Sequence, residues 1–211
     1  MSKQDIWDIS APVNAQSPVF PGDTPYTQKW SWTLSPGCPV NVSEITLSPH
    51  VGTHADAPLH YQDGGSTAGD LALAPFIGPC RVVEVLRDNG LIHPQDLTQA
   101  LAGCPPRLLV RSTRRARVGA WSDQFASFAP ETLDMLHEQG IRLIGIDTPS
   151  IDPADSKALE SHQRICQYDM RVLENLVLDD VPVGDFELIA LPLKWTSADA
   201  SPVRAILRPL P

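Results

Sequence analysis

His50-Val51-Gly52-Thr53-His54-Ala55-Asp56-Ala57-Pro58-Leu59-His60 holds three of the six histidines in a chain of 211 residues, with an aspartate among them. Imidazole nitrogen and carboxylate oxygen are the donors that suit zinc and similar divalent ions. A lone histidine is usually a surface group or a satisfied core group. Four ligand-type side chains at spacings of four, two and four point instead to a metal site. His50 and His54 have the spacing of one helix face, but Gly52 and Pro58 argue against a continuous helix. With Thr53 they favour a turning loop that aims side chains inward at an ion.

Upstream, Glu44-Ile45-Thr46-Leu47-Ser48 alternates polar and apolar residues, the pattern of a half-buried strand, and runs into Pro49-His50. Further strands are expected at 80–86, 107–111, 141–146, 186–193 and 203–207. Helices are expected at 94–101, with Pro94 at its start, at 130–139, stopped by Gly140, and at 169–176. Residues 112–128, with Arg114, Arg115 and Arg117, read as a solvated loop. The second reading of that stretch is a lid carrying an arginine to a substrate carboxylate. Strands at both ends and a central strand-helix-strand crossover favour an α/β fold. It is expected as a mixed β-sheet or partial barrel with a few packed helices, in a single domain over 1–211. The 21 prolines spread along the chain fit many turns, not a linker, and no glycine-rich phosphate loop is present.

A hydrophobic share of 42% with 19% charged residues is ordinary for a soluble protein with a sizeable core. The formal charge of −9 opposes binding to nucleic acid or to an anionic membrane. No apolar run is long enough to span a bilayer, and residues 1–7 lack the apolar core of a secretory signal. Cys38, Cys80, Cys104 and Cys166 form no CxxC pair. Buried free thiols in a reducing, cytoplasmic setting are expected. A metal must therefore be held by His, Asp and Glu.

Two histidines and a carboxylate leave coordination positions open. A metal so held makes water a nucleophile near neutral pH and polarises a carbonyl, which suits hydrolysis of an amide, ester or imide. Asp56 has two oxygens and can bridge two ions about 3.5–4 Å apart. His93 and His137 fall in or beside surface helices, which leaves His162, with Glu174 twelve residues later, as further donors. His60 stays open between a ligand and a proton carrier.

The motif His-x-Gly-Thr-His-x-Asp-x-Pro-x-His, present here without departure, resembles the signature of the metal-dependent cyclase family. Trp7-Asp8-Ile9-Ser10, Phe20-Pro21-Gly22-Asp23-Thr24-Pro25, Ser48-Pro49-His50, Asp56-Ala57-Pro58-Leu59-His60-Tyr61 and Gly145-Ile146-Asp147-Thr148-Pro149-Ser150 narrow the resemblance to its bacterial kynurenine formamidase branch. The resemblance implies a swivelling β/β/α-type fold assembled as a homodimer, with two Zn2+ per subunit, another divalent metal being the alternative. It implies that His50, His54 and Asp56 bind the first ion, that Asp56 bridges to the second, that His162 binds the second and that Glu174 contacts both. His60 is then the proton donor and acceptor. The implied reaction is hydrolysis of N-formyl-L-kynurenine to L-kynurenine and formate in tryptophan degradation, with metal-bound hydroxide attacking the formyl carbon. The branch carries a Trp that stacks on the substrate ring where this chain has Phe20, which keeps an aromatic face but offers less area and no indole N–H. The rival readings are a cyclic imide or isatin-type hydrolase using the same motif, and a non-catalytic metal-binding protein.

Overall fold

The computed structural model describes residues 6–116, 119 and 121–210. Arg117 and residues 1–5 lie outside the described residues. In chain order the first strands are β1 (Trp7–Asp8), β2 (Thr27–Trp32), β3 (Val42–Thr46), β4 (His54–Asp56), β5 (Ile77–Glu84) and β6 (Gly90–Ile92). After helix α1 (Pro94–Leu97) come β7 (Arg107–Arg111), β8 (Ala126–Phe128), α2 (Pro130–Glu138) and β9 (Leu143–Ile146). The chain closes with α3 (Glu160–Gln167), β10 (Arg171–Glu174), β11 (Gly184–Ile189), β12 (Ala200–Pro202) and β13 (Ile206–Arg208). Among the described residues no helix is long and apolar enough to cross a membrane.

Nine strands form one curled, mixed sheet in the order β1-β13-β11-β5-β7-β9-β10-β4-β12. The centre, β5-β7-β9-β10, is parallel and both flanks are antiparallel. The interiors of the central strands, Leu108-Leu109-Val110 and Leu143–Ile146 among them, are apolar because both faces are covered. Along β7, Leu108 and Val110 pack on the helix side with Leu133, Leu136 and Ile165, while Leu109 points to the opposite core with Leu173, Leu176 and Leu188. This is the period-two alternation of a strand, and each such side chain contributes about 1.5–3 kcal/mol when fully buried. The mixed sheet with a few packed helices is the architecture expected from the order of elements.

Several local expectations change. Residues 169–176 are not helical: α3 ends at Gln167, Asp169 adopts a left-handed φ of 49°, and Arg171–Glu174 enters the sheet between β9 and β4. A strand buried on both faces carries an apolar run with no polar side, which periodicity alone does not separate from a buried helix. The strand read at 44–48 is shifted to Val42–Thr46, and among the described residues it pairs with β2 alone, in an exposed ribbon where Ile45 is 50% exposed. The motif is not all loop, since His54–Asp56 is a buried sheet strand. Nor is 112–128 solvated throughout: Arg114 and Arg115 are exposed, but Ser112, Thr113 and Phe125 are buried and β8 pairs with β6. All four cysteines are free, Cys80 buried and the others half-buried.

Candidate active site

Strand register assembles the site. His54 and Asp56 are two apart on β4, so their side chains leave the same face. Across the β10–β4 ladder Glu174 lies directly opposite His54, and across the β12–β4 ladder Ala200 lies opposite Asp56. Gly52 turns the chain into β4 at a φ of +72°, and a Cβ there would meet Val13 Cγ2 at 2.6 Å. Only glycine fits that backbone and that space. Thr53 Oγ1 accepts from Ala11 N at 2.8 Å and donates to the Asn175 carbonyl at 2.5 Å, tying the turn to the end of β10. Pro58 then opens a single 3-10 turn that ends on His60.

The donors converge on Asp56. Its Oδ1 lies 3.1 Å from His50 Nδ1 and 3.3 Å from His54 Nε2, and its Oδ2 lies 3.2 Å from His162 Nε2. Glu174 reaches His54 Nε2 at 3.3 Å through Oε2 and His162 Nε2 at 3.6 Å through Oε1, which also accepts from Ile151 N at 2.9 Å. His54, Asp56, His162 and Glu174 are buried, His50 is half-buried and His60 stands at the rim with its side chain 31% exposed. The structure thus brings together every sequence-predicted donor, with His60 at the edge: its ring centroid is 4.3 Å from that of His50 and 5.7 Å from that of His162.

These residues fit a metal. His54 Nε2 and Asp56 Oδ1 are buried without a hydrogen-bond partner, although they lie 3.3 Å apart. An unsatisfied buried polar atom costs about 1–3 kcal/mol, and a cation among the donors satisfies both. Each inner histidine also gives its outer nitrogen to an oxygen: His54 Nδ1 to the Gly52 carbonyl at 2.9 Å, His162 Nδ1 to Asp152 at 2.7 Å and His50 Nε2 to Asp199 at 3.0 Å. Donating the outer N–H fixes the tautomer and leaves the inner lone pair for a ligand. Asp152 has a second task, accepting from Ser161 N and His162 N in the first turn of α3, where a carboxylate caps free N–H groups and complements the helix dipole.

The electrostatics agree. Burial works against charged rings, but the adjoining carboxylates outweigh it and raise His50 to about 9 and both His54 and His162 to about 10. Burial likewise works against the Asp56 anion, yet His162, His50 and His54 hold its carboxyl well below the usual range. Protons thus sit where a cation would, and metal binding must displace them. His60 differs: burial lowers it, so its ring is neutral near pH 7.

The cluster opens into a cavity of about 330 Å³ lined by His50, His60, His162 and Glu174 on one side and by Phe20, Trp121 and Phe125 on another. Phe20 meets Trp121 edge-to-face at 5.2 Å, and Trp121 meets Phe125 at 6.2 Å. Lys157 is the one basic aliphatic or guanidinium side chain on the lining among the described residues; Arg114 and Arg115 are not on it. Asp23 lines it too, whereas the Asp147 carboxylate is occupied by Ser112 and Thr113. Asp152, Asp199 and Trp121 were missed as site residues. Asp152 lies just past the 145–150 segment, Trp121 lies within the 112–128 stretch, and Asp199 carries no local signal at all.

The Cyclase family model, described as "Putative cyclase", matches residues 7–153. A kynurenine formamidase of Bordetella pertussis is 62% identical over 205 residues, covering 97% of this chain and 98% of its own. Among solved structures, a potential metal-dependent hydrolase with cyclase activity superposes with a TM-score of 0.81 at 27% identity, covering 96% of each chain. Isatin hydrolase A from Labrenzia aggregata shares the fold, with a TM-score of 0.84 at 23% identity over 97% of this chain and 93% of that one. On the family match and the 62% identity together, this chain belongs to the Cyclase family.

Proposed function

We propose that the chain is a metal-dependent amidohydrolase that converts N-formyl-L-kynurenine and water to L-kynurenine and formate. The observation that carries this reading is the orphaned His54–Asp56 donor pair, set in a cluster that opens past His60 onto an aromatic-walled cavity. Two zinc ions are the proposed cofactors: His50, His54 and Asp56 would hold one, Asp56 and His162 the other, and Glu174 would contact both. Bound there, they supply a water acidic enough to ionise near neutral pH and a Lewis acid for the carbonyl oxygen.

The chain's own residues do the rest. Phe20 and Trp121 bind the aryl ring and set the formyl group toward the cluster. His60, neutral at pH 7, takes the proton of the attacking water at Nε2, since its Nδ1 faces Asp199. The C–O bond forms at the formyl carbon, the C–N bond breaks, and His60 Nε2 returns the proton to the departing aryl nitrogen.

The cavity charges also suit this substrate over an isatin-type ring. Lys157 complements an α-carboxylate and Asp23 an α-ammonium. We expect Lys157→Met to raise KM for N-formyl-L-kynurenine about tenfold, while leaving KM for formanilide, which lacks the amino-acid group, within about twofold. An equal rise for both substrates removes Lys157 from this role. The activity itself is tested by formate release: zinc-restored protein is expected to turn over N-formyl-L-kynurenine faster than any cyclic imide or isatin, and metal-depleted protein to release none. The reverse ranking defeats the assignment.

A further inference from the structure

We propose that Asp199 is a positioning residue shared by the metal site and the proton carrier, its one carboxylate holding His50 and His60 in register. The proposal rests on the roles given above to those two histidines. Asp199 Oδ2 accepts from His50 Nε2 at 3.0 Å and lies 3.5 Å from His60 Nδ1. The two rings are packed together, centroids 4.3 Å apart and tilted 44°. One anion therefore sets both: His50 turns Nδ1 to Asp56, and His60 turns Nε2 to the cavity.

The backbone that carries this carboxylate is fixed by the motif itself. Asp199 precedes β12, whose Ala200 is registered opposite Asp56, and the Asp199 carbonyl accepts from Ala57 N at 2.9 Å. The residue 149 positions from His50 is thus locked to the strand that bears the other donors. A movement of β12 would move the ligand ring and the acid-base ring together.

A ligand role for Asp199 is the competing arrangement, since its oxygen and the nitrogens of His50 and His60 lie within 4.8 Å of one another. Two observations oppose it. The His50 nitrogen nearest Asp199 is engaged in the hydrogen bond, while Nδ1 is the one at Asp56. The Asp199 side chain is 41% exposed, against 0% for Asp56, and a carboxylate at the rim suits orientation from outside the donor set.

The test combines metal analysis, kinetics and histidine ring nitrogen NMR on the zinc-loaded protein. Asp199→Asn is expected to keep the full metal content, to bind zinc about tenfold more weakly in chelator competition, and to lose about ten- to a hundredfold in kcat with KM within about twofold. In a His60→Ala background the same change is expected to lower kcat by less than about threefold, because the residue acts through His60. Asp199→Glu is expected to regain part of the loss. Ring NMR is expected to show His60 as the Nδ1–H tautomer in the parent and as a mixture in Asp199→Asn. Loss of one metal equivalent makes Asp199 a ligand and overturns the proposal, as does an equal kcat loss in both backgrounds or an unchanged His60 tautomer. Should the parent release no formate at all, the formamidase reading fails, while chelator competition and ring NMR still decide the role of Asp199.

Discussion

Asp56→Ala is expected to empty the metal site and to lower formate release by at least about a thousandfold. Asp56 is the donor that His50, His54 and His162 share, at 3.1, 3.3 and 3.2 Å. Both proposed ions use it, so no partial site survives its loss. Metal analysis after gel filtration checks this, and full occupancy contradicts the bridging role. Stability should fall as well. Without Asp56, Glu174 is left beside His54 and His162, with Asp152 on the outer nitrogen of His162, and removing one partner of a buried ionic cluster costs about 3–5 kcal/mol. The sign with pH follows from the raised rings. In the metal-free parent, His50, His54 and His162 add stability that is complete below their unfolded value of 6.5 and is lost as pH rises through about 9 to 10. Thermal melts of metal-free Asp56→Ala should show that dependence flattened. Asp56→Asn, similar in size but uncharged, separates charge from packing.

That one residue serves so many partners explains what the sequence could and could not disclose. The motif announces His50, His54, Asp56 and His60 because strand and turn keep them within eleven positions. His162 and Glu174 reach the same point through topology: α3 brings one, and the β10–β4 register brings the other to His54. Spacing along the chain offers the pair only as the donors left over, and the family resemblance supplied their roles. The misread helix at 169–176 concealed the register that matters most for Glu174, because a strand covered on both faces has no polar side to betray it. Arg107–Arg111 was legible to the residue, being a short apolar run between prolines and polar turns. Nothing in the local sequence singles out Asp199 or Asp152, and their meaning appears only when the folded chain brings each within 3 Å of a histidine ring.

His60→Ala should separate binding from chemistry. We expect it to keep its full metal content and its fold and to lose about a hundred- to ten-thousandfold in kcat, the range for removing a general acid-base group. The geometry frames a sharp choice, because a His60 nitrogen also lies within 4.8 Å of donor atoms on Asp56 and His162. His60 is nevertheless less buried than His162 and Asp56, its side chain 31% exposed against 2% and 0%, it lines the cavity, and its only carboxylate partner at ion-pair distance among the described residues is Asp199, outside the donor cluster. Burial lowers its pKa while the three inner histidines are raised, so it alone of the four is poised to accept a proton at neutral pH. Added imidazole should restore part of the lost rate by entering the space the ring vacates and carrying the proton in its place. Metal lost together with activity would instead make His60 a ligand, and the proton would then need another carrier on the same cavity wall.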